Sequence, residues 1–494
     1  MTKLIVISNR LPVSITRTEN SEDSFIYKQS SGGLVTGLIS LSKTMKFLWV
    51  GNLEDNYTEK EKERIKKDLK PKNLHPVFIS KELNNKSYNG FCNEILWPNL
   101  HFFCDRNTFN PDLEKSYEEF NNIFYKELEN LMEDGDLVWV HDYHFFLLPY
   151  LIRKETLKKN IKIGFFLHTC FTDYDVIKNF PYLKKIVKGL VCADHVGVHT
   201  FEYKKAIQDC IMKVKFSESE KKIISKRLNE SEKHLGEVKN GIMEPKEEYY
   251  NLLGRKFSIK TIPIGINLNI FTSQLETKEA KDKVIEIKEK FKGKFVVLGV
   301  DRIDYIKGIP NRLKALEKIH SDPKYKKLSE NMIFIQIGVP SREKVKEYKN
   351  LTEIINLKVS EITSKTESIL DHKIYYLNDS VEFSELCALY RASDACLVTS
   401  IRDGMNLVCM EYVACQGKEG TGVTILSEFA GASSTLPGSV GVSPYCVTEI
   451  ADKIKIVHEM SEEEKKKRSE INFENVSKFD AELWASRNKE MIEK

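Results

Sequence analysis

The segment Val300-Asp301-Arg302-Ile303-Asp304-Tyr305-Ile306-Lys307-Gly308-Ile309-Pro310 sets two cations beside a glycine where an apolar strand gives way to a helix. Arg302 offers a planar fork of N–H donors and Lys307 a mobile point charge, a division of labour suited to the two phosphates of a diphosphate. Further along, Ser400-Ile401-Arg402-Asp403-Gly404-Met405-Asn406-Leu407-Val408 forms a second such turn. Gly404 lets backbone approach a ligand closely, and the amides near Met405, Asn406 and Leu407 head a helix, where about half a positive charge collects. Glu411, one turn into that helix, can accept hydrogen bonds from a vicinal diol such as a ribose. Taken singly, each cluster also reads as solvated surface charge.

Both turns follow elements that would place them correctly. Phe295 to Val300 is rich in β-branched residues, as a buried parallel strand is, and Pro310 with Leu313, Leu316 and Ile319 starts a helix. Asp394 to Ser400 is the strand before the second turn. Ligands of open α/β sheets bind at the carboxyl ends of strands, where both clusters lie. Other clear strands are Leu4–Ser8, Leu137–His141, Lys162–His168, His195–Val198, Lys260–Ile264, Met332–Gly338 and Ala395–Thr399. Their alternation with helical stretches predicts parallel sheets with crossover helices. Ser217 to Lys256 reads as a helix followed by an exposed hairpin or loop. Ser461 to Lys494 reads as charged helix with an apolar face carrying Phe473, Val476, Phe479, Leu483, Trp484 and Met491.

Charge and composition narrow the partners. Against 76 basic groups stand 72 acidic ones, a net charge of +4 that argues for neither nucleic acid nor a membrane surface. No run approaches the roughly 18 apolar residues of a membrane helix. Met1-Thr2-Lys3 passes straight into the first strand, so no secretory leader is expected. The ten cysteines show no C-x-x-C pair and no His-Cys metal spacing, which predicts reduced core residues, a cytoplasmic location and no metal.

The amino-terminal half adds Ser8-Asn9-Arg10, Ser31-Gly32-Gly33-Leu34, Tyr88, Leu96-Trp97-Pro98, His141-Asp142-Tyr143-His144 and Phe166-Leu167-His168. With Asp304-Tyr305-Ile306-Lys307-Gly308 and Arg402-Asp403-Gly404-Met405-Asn406-Leu407, this ordered set resembles the trehalose-6-phosphate synthases, retaining transferases of glycosyltransferase family 20. The likeness runs from Ile5 to about Tyr445. It implies an α/β fold of GT-B type, two facing Rossmann-like domains with the active site in the cleft between them. The domains would be 1–267 for the acceptor and 268–465 for the donor, with 466–494 crossing back to the first. It also implies transfer of glucose from UDP-glucose to glucose 6-phosphate, giving α,α-trehalose 6-phosphate.

On the same resemblance, Gly33, His168, Arg302, Lys307, Asp403, Gly404, Met405, Asn406, Leu407 and Glu411 serve the donor. Arg10, Tyr88, Trp97, Asp142 and Arg342 serve the acceptor, with Trp97 as a wall; Asp142, Arg302 and Lys307 are the catalytic set. Each has a plainer alternative: Trp97 fills core, and His141 and His144 are buried structural histidines. No cofactor is expected, UDP-glucose being a substrate.

Three departures stand out. Asn52 follows Gly51 where the family has tryptophan, Thr169-Cys170-Phe171-Thr172 replaces Ile-Pro-Phe-Pro, and Val359 to His372 lacks the usual glycines. They keep two other readings open, a non-catalytic regulatory subunit of a trehalose-synthesis complex and a related transferase with another acceptor. A glycoside hydrolase is remoter, since no paired carboxylates are evident. Choice among UDP, GDP and ADP donors and the oligomeric state are not written in these motifs.

Overall fold

A strand buried on both faces is apolar through its buried stretch, as residues 4–7 of Leu4–Arg10 (β1), 137–140 of Leu137–His141 (β6) and 163–166 of Lys162–Phe166 (β7) are. In the computed structural model, which describes residues 2–18, 25–29, 35, 38–39, 42, 45–104, 109–157, 160–226, 244–246, 249–342, 345–364 and 373–494, these strands lie side by side. The chain divides into two units, Met1–Pro263 with Ala481–Lys494, and Ile264–Asp480.

The first unit is built on a sheet of order β5-β4-β1-β6-β7-β8-β11-β10-β9 among the described residues. Its further strands are Leu48–Asp55 (β4), Leu74–Ser80 (β5), His195–Val198 (β8), Glu244–Lys246 (β9), Tyr249–Leu252 (β10) and Arg255–Thr261 (β11). Val13–Arg17 (β2) and Phe25–Gln29 (β3) form a separate antiparallel hairpin. β1 pairs in parallel with both β4 and β6, so the strand order reverses between β1 and β6. Such a reversal opens a crevice at the strand ends.

The second unit has the order β14-β13-β12-β15-β16-β17. Its strands are Phe295–Arg302 (β12), Met332–Val339 (β13), Ile374–Leu377 (β14), Ala395–Val398 (β15), Val423–Ser427 (β16) and Val440–Val442 (β17), all paired in parallel. Here the order reverses between β12 and β15, the two strands that lead into the Arg302 and Asp403 turns. Gly308 has φ 66°, and a Cβ there would come within 2.1 Å of the Thr399 carbonyl oxygen, so the turn needs glycine.

Several boundaries differ from the sequence expectation. The strand expected at Lys260–Ile264 is Arg255–Thr261, because Leu253 and Gly254, both at positive φ, turn β10 back onto it as a hairpin. The strand expected to reach His168 ends at Phe166, leaving His168 beyond the ladder. Ser217 to Lys256 begins with a helix at Glu218–Ile224; 227–243 lie outside the described residues. The units part at Pro263 and Ile264 rather than after residue 267, since a Cβ on Gly265 would strike the carbonyl of Phe479. Helix Glu462–Lys478 stays with the second unit, where Asn472 accepts from the Gly438 amide at 2.8 Å. Of this tail only Ala481–Lys494 belongs to the first unit, and its helix Ala481–Glu493 carries Trp484, fully buried against Trp139 with 5.2 Å between ring centroids.

Candidate active site

Each unit carries polar side chains at its own reversal point. In the first, β1 ends in Arg10, which is exposed and lies over the Tyr88 ring at 5.1 Å. Tyr88 in turn stacks on His144 at 5.6 Å. Tyr88 belongs to a π-helical stretch, Asn85–Leu96, a rare element that often marks functional sites. Trp97 follows it, 6% exposed, its ring 4.1 Å from His101 and 5.5 Å from Tyr143. Packing of this kind fits the core-filling reading of Trp97.

Asp142 caps β6 at φ 74°, a region that non-glycine residues occupy at a cost of about 1–3 kcal/mol when the surroundings hold them there. Its amide donates to the Phe166 carbonyl at 2.8 Å, and its Oδ1 accepts from the His168 amide at 3.1 Å. The ends of β6 and β7 are thereby locked together, with a half-buried carboxylate at the junction. Beneath it, His168 Nε2 meets His141 Nδ1 at 3.1 Å, and His199 approaches His168 edge-on at 5.5 Å. Burial pulls His141 down to about 3; burial and the neighbouring imidazoles put His168 well below the usual histidine range. Both rings are neutral at physiological pH. Gly33 lies outside the described residues.

In the second unit, Arg302 is exposed at the end of β12. Lys307 Nζ lies 2.5 Å from Asp403 Oδ2, and that oxygen also accepts from Ser400 Oγ at 3.1 Å and Asn406 Nδ2 at 3.0 Å. Asn406 sits at φ 74° and caps helix Leu407–Gln416 by accepting from the Cys409 amide. The Met405 carbonyl accepts from Ala432 N at 2.7 Å, and a Cβ on Gly431 would press on the Gly404 carbonyl, so this loop is braced from below. Glu411 accepts from the Tyr390 hydroxyl at 3.0 Å, and burial raises its carboxyl above the usual range. Arg342, at φ 52°, donates to Tyr348 Oη and pairs with Asp304 at 3.4 Å.

Residues with no role in the site assigned from sequence hold these groups in place. Arg312 pairs with Asp301 at 2.6 Å in full burial and donates to Thr399 Oγ1 at 3.0 Å. Thr399 Oγ1 donates to the Lys307 carbonyl at 3.3 Å, tying the cation's backbone to β15. Asp304 caps the turn before Lys307 by accepting from Ile306 N. A sequence cue existed for Asp304, part of the Asp-Tyr-x-Lys-Gly motif; for Arg312 and Thr399 the contact is tertiary.

A family model described as Glycosyltransferase family 20 matches residues 2–494. A protein of Encephalitozoon cuniculi named alpha,alpha-trehalose-phosphate synthase [UDP-forming] is 41% identical over 98% of this chain and 97% of its own length. The 56 kDa subunit of that name from Saccharomyces cerevisiae is 36% identical over 97% of this chain and 92% of its own. A solved E. coli structure bound with UDP-2-fluoro glucose is similar at TM-score 0.84 and 26% identity, over 100% of this chain and 99% of the other.

Proposed function

The chain belongs to glycosyltransferase family 20, and on that premise we propose how its residues move glucose from UDP-glucose to glucose 6-phosphate with release of UDP. The fold class is that of GT-B glycosyltransferases. The observation that carries the residue assignment is the position of Arg302 and Lys307, both following β12 at the point where the strand order of the second unit reverses.

As the bond from the anomeric carbon to phosphate breaks, negative charge gathers on the departing diphosphate and positive charge on the sugar. Arg302 and Lys307 oppose the first, helped by amides at Gly33 and at the head of helix Leu407–Gln416, formed by Gly404 to Leu407. Asp403 and His168 hold hydroxyls of the donor sugar, and Glu411 the ribose. Tyr390 occupies one Glu411 oxygen, Oε2, and leaves the other for the diol. Arg10, Tyr88 and Arg342 take the acceptor's phosphate. Trp97 backs the π-helical stretch that carries Tyr88.

Asp142 grips the acceptor sugar, its carboxylate oriented by the His168 amide, which donates to Oδ1. The acceptor hydroxyl oxygen bonds to the anomeric carbon on the face that the phosphate leaves, and its proton passes to the leaving phosphate oxygen. Configuration is then retained without a covalent enzyme intermediate.

Ten reduced cysteines suit a cytoplasmic setting, and among the described residues no helix is long and apolar enough to cross a membrane. The yeast relative's name as a subunit supports a place for this chain in a multi-subunit assembly. The test is to incubate purified protein with glucose 6-phosphate and UDP-, GDP- or ADP-glucose and identify products by mass spectrometry. A hexose disaccharide phosphate from UDP-glucose is expected. Its absence with every donor would favour a regulatory subunit, unless a parallel incubation with other sugar and polyol acceptors gives product, which would move the acceptor assignment.

A further inference from the structure

We propose that His141 is a positioning residue that fixes His168 in the tautomer protonated on Nδ1, so that His168 presents an N–H donor to an oxygen of the donor sugar. The kinetic consequence rests on the role given to His168 above; the tautomer follows from geometry.

His141 Nδ1 and His168 Nε2 are 3.1 Å apart, so one of them carries the shared proton. A neutral imidazole has a single N–H, and both rings are neutral. His141's other nitrogen, Nε2, is buried with no hydrogen-bond partner among the described residues. Were the shared proton on His168, His141 would carry its own on Nε2, a donor sealed where nothing accepts it. Orphaned buried N–H groups are rarer in native interiors than under-used acceptors.

The surroundings of that nitrogen push the same way. Trp139 Nε1 and Trp484 Nε1 are buried donors without acceptors among the described residues. Their rings lie 4.4 and 6.0 Å from the His141 imidazole. A bare lone pair on His141 Nε2 adds no unpaired buried donor to this cluster of rings, and an N–H there would add a third. His141 therefore carries Nδ1–H and donates to His168 Nε2.

His168, accepting on Nε2, must hold its proton on Nδ1, and the contact to His141 is the one hydrogen bond its ring makes among the described residues. Phe166 at 4.7 Å, His199 at 5.5 Å and Trp484 at 5.6 Å set the plane of the ring. The group it selects is an oxygen that can accept, such as a sugar hydroxyl, and its donor character does not depend on a protonated imidazole.

Long-range 1H–15N correlation on the full chain labelled with 15N-histidine, with UDP bound, reads the tautomer directly; His141→Asn and His168→Ala assign the signals. A protonated Nδ1 and bare Nε2 on His168 are expected, and the reverse overturns the proposal. In kinetics, His141→Phe removes the donor and is expected to lower kcat/KM for UDP-glucose roughly tenfold, the worth of one hydrogen bond. His141→Asn, which keeps an N–H near the Nδ1 position, is expected to recover most of that loss. On a His168→Ala background His141→Phe is expected to cost nothing more, and additive losses would refute a role exerted through His168. Should His141→Phe fail to fold, the wild-type spectrum and His141→Asn still decide. A His168→Ala enzyme with unchanged kinetics would remove the sugar contact and leave the tautomer standing.

Discussion

Lys307 Nζ and Asp403 Oδ2 meet at 2.5 Å across two separate strand-to-helix turns, so the cation proposed for the diphosphate is already held by an anion proposed for the sugar. The pair keeps Lys307 from folding away and leaves its remaining N–H bonds for phosphate. Lys307→Ala is expected to lower kcat roughly a hundred- to a thousandfold, the effect of removing one preorganised donor worth about 3 kcal/mol. A UDP-release assay at saturating substrates checks it. A loss confined to KM would mean that Lys307 binds ground state and transition state alike.

Asp142→Asn preserves the shape of the β6–β7 junction and is expected to weaken the grip proposed for the acceptor. Reduced yet measurable transfer is the expected outcome, read as disaccharide phosphate in long incubations. Intact-mass spectrometry after mixing with donor alone should show no glucosyl adduct; a trapped glucosyl-aspartate would replace the front-face route with a double displacement.

Gly308 combines φ 66° with a backbone carbonyl 2.1 Å from where a Cβ would lie. Gly308→Ala should destabilise the second unit by more than the 1–3 kcal/mol typical of left-handed strain, because Thr399 must also move. Urea unfolding gives the stability change. Activity should fall with it, since Thr399 ties the Lys307 backbone to β15.

Stability should decline as pH falls through about 6.5. His141, held down to about 3, and His195, down to about 4, are neutral when folded but take up protons when unfolded. Folded values below unfolded ones give stability that is complete above the unfolded pKa and lost on acidification, at up to about 1.4 kcal/mol per pH unit for each histidine. Glu411 and Asp301, raised by burial, act with the opposite sign just above the ordinary carboxylate range and blunt the slope there. Melting temperatures between pH 7.5 and 4.5 measure the balance, and a flat profile would contradict neutral burial of these rings.

Excess chelator should leave turnover unchanged, because the two cations proposed for the diphosphate, Arg302 and Lys307, would already oppose its charge. Initial rates with and without a divalent-metal chelator decide the point, and recovery by added Mg²⁺ after a loss would assign the missing charge to a metal.

Much of the sheet architecture was legible because buried parallel strands must be apolar throughout, as Phe295 to Val300 and Leu137 to Val140 are. Strands β5 and β14 were harder to see: Leu74–Ser80 is interrupted by His75 and Pro76, and Ile374–Leu377 is short and half-exposed at a sheet edge. Boundaries slipped where a tertiary contact sets them, as at Gly265 against Phe479.

The sequence by itself determined the chemistry on offer: cations after apolar strands, glycines where backbone must turn, and an aspartate between histidines, since residue type and short-range spacing fix charge and local geometry. Only the tertiary structure decided which groups hold one another. Lys307 and Asp403 are 96 residues apart, and His141 and His168 are 27 apart. Such pairs form through strand order, when β12 is laid beside β15 and β6 beside β7, and no local pattern in the chain encodes that adjacency.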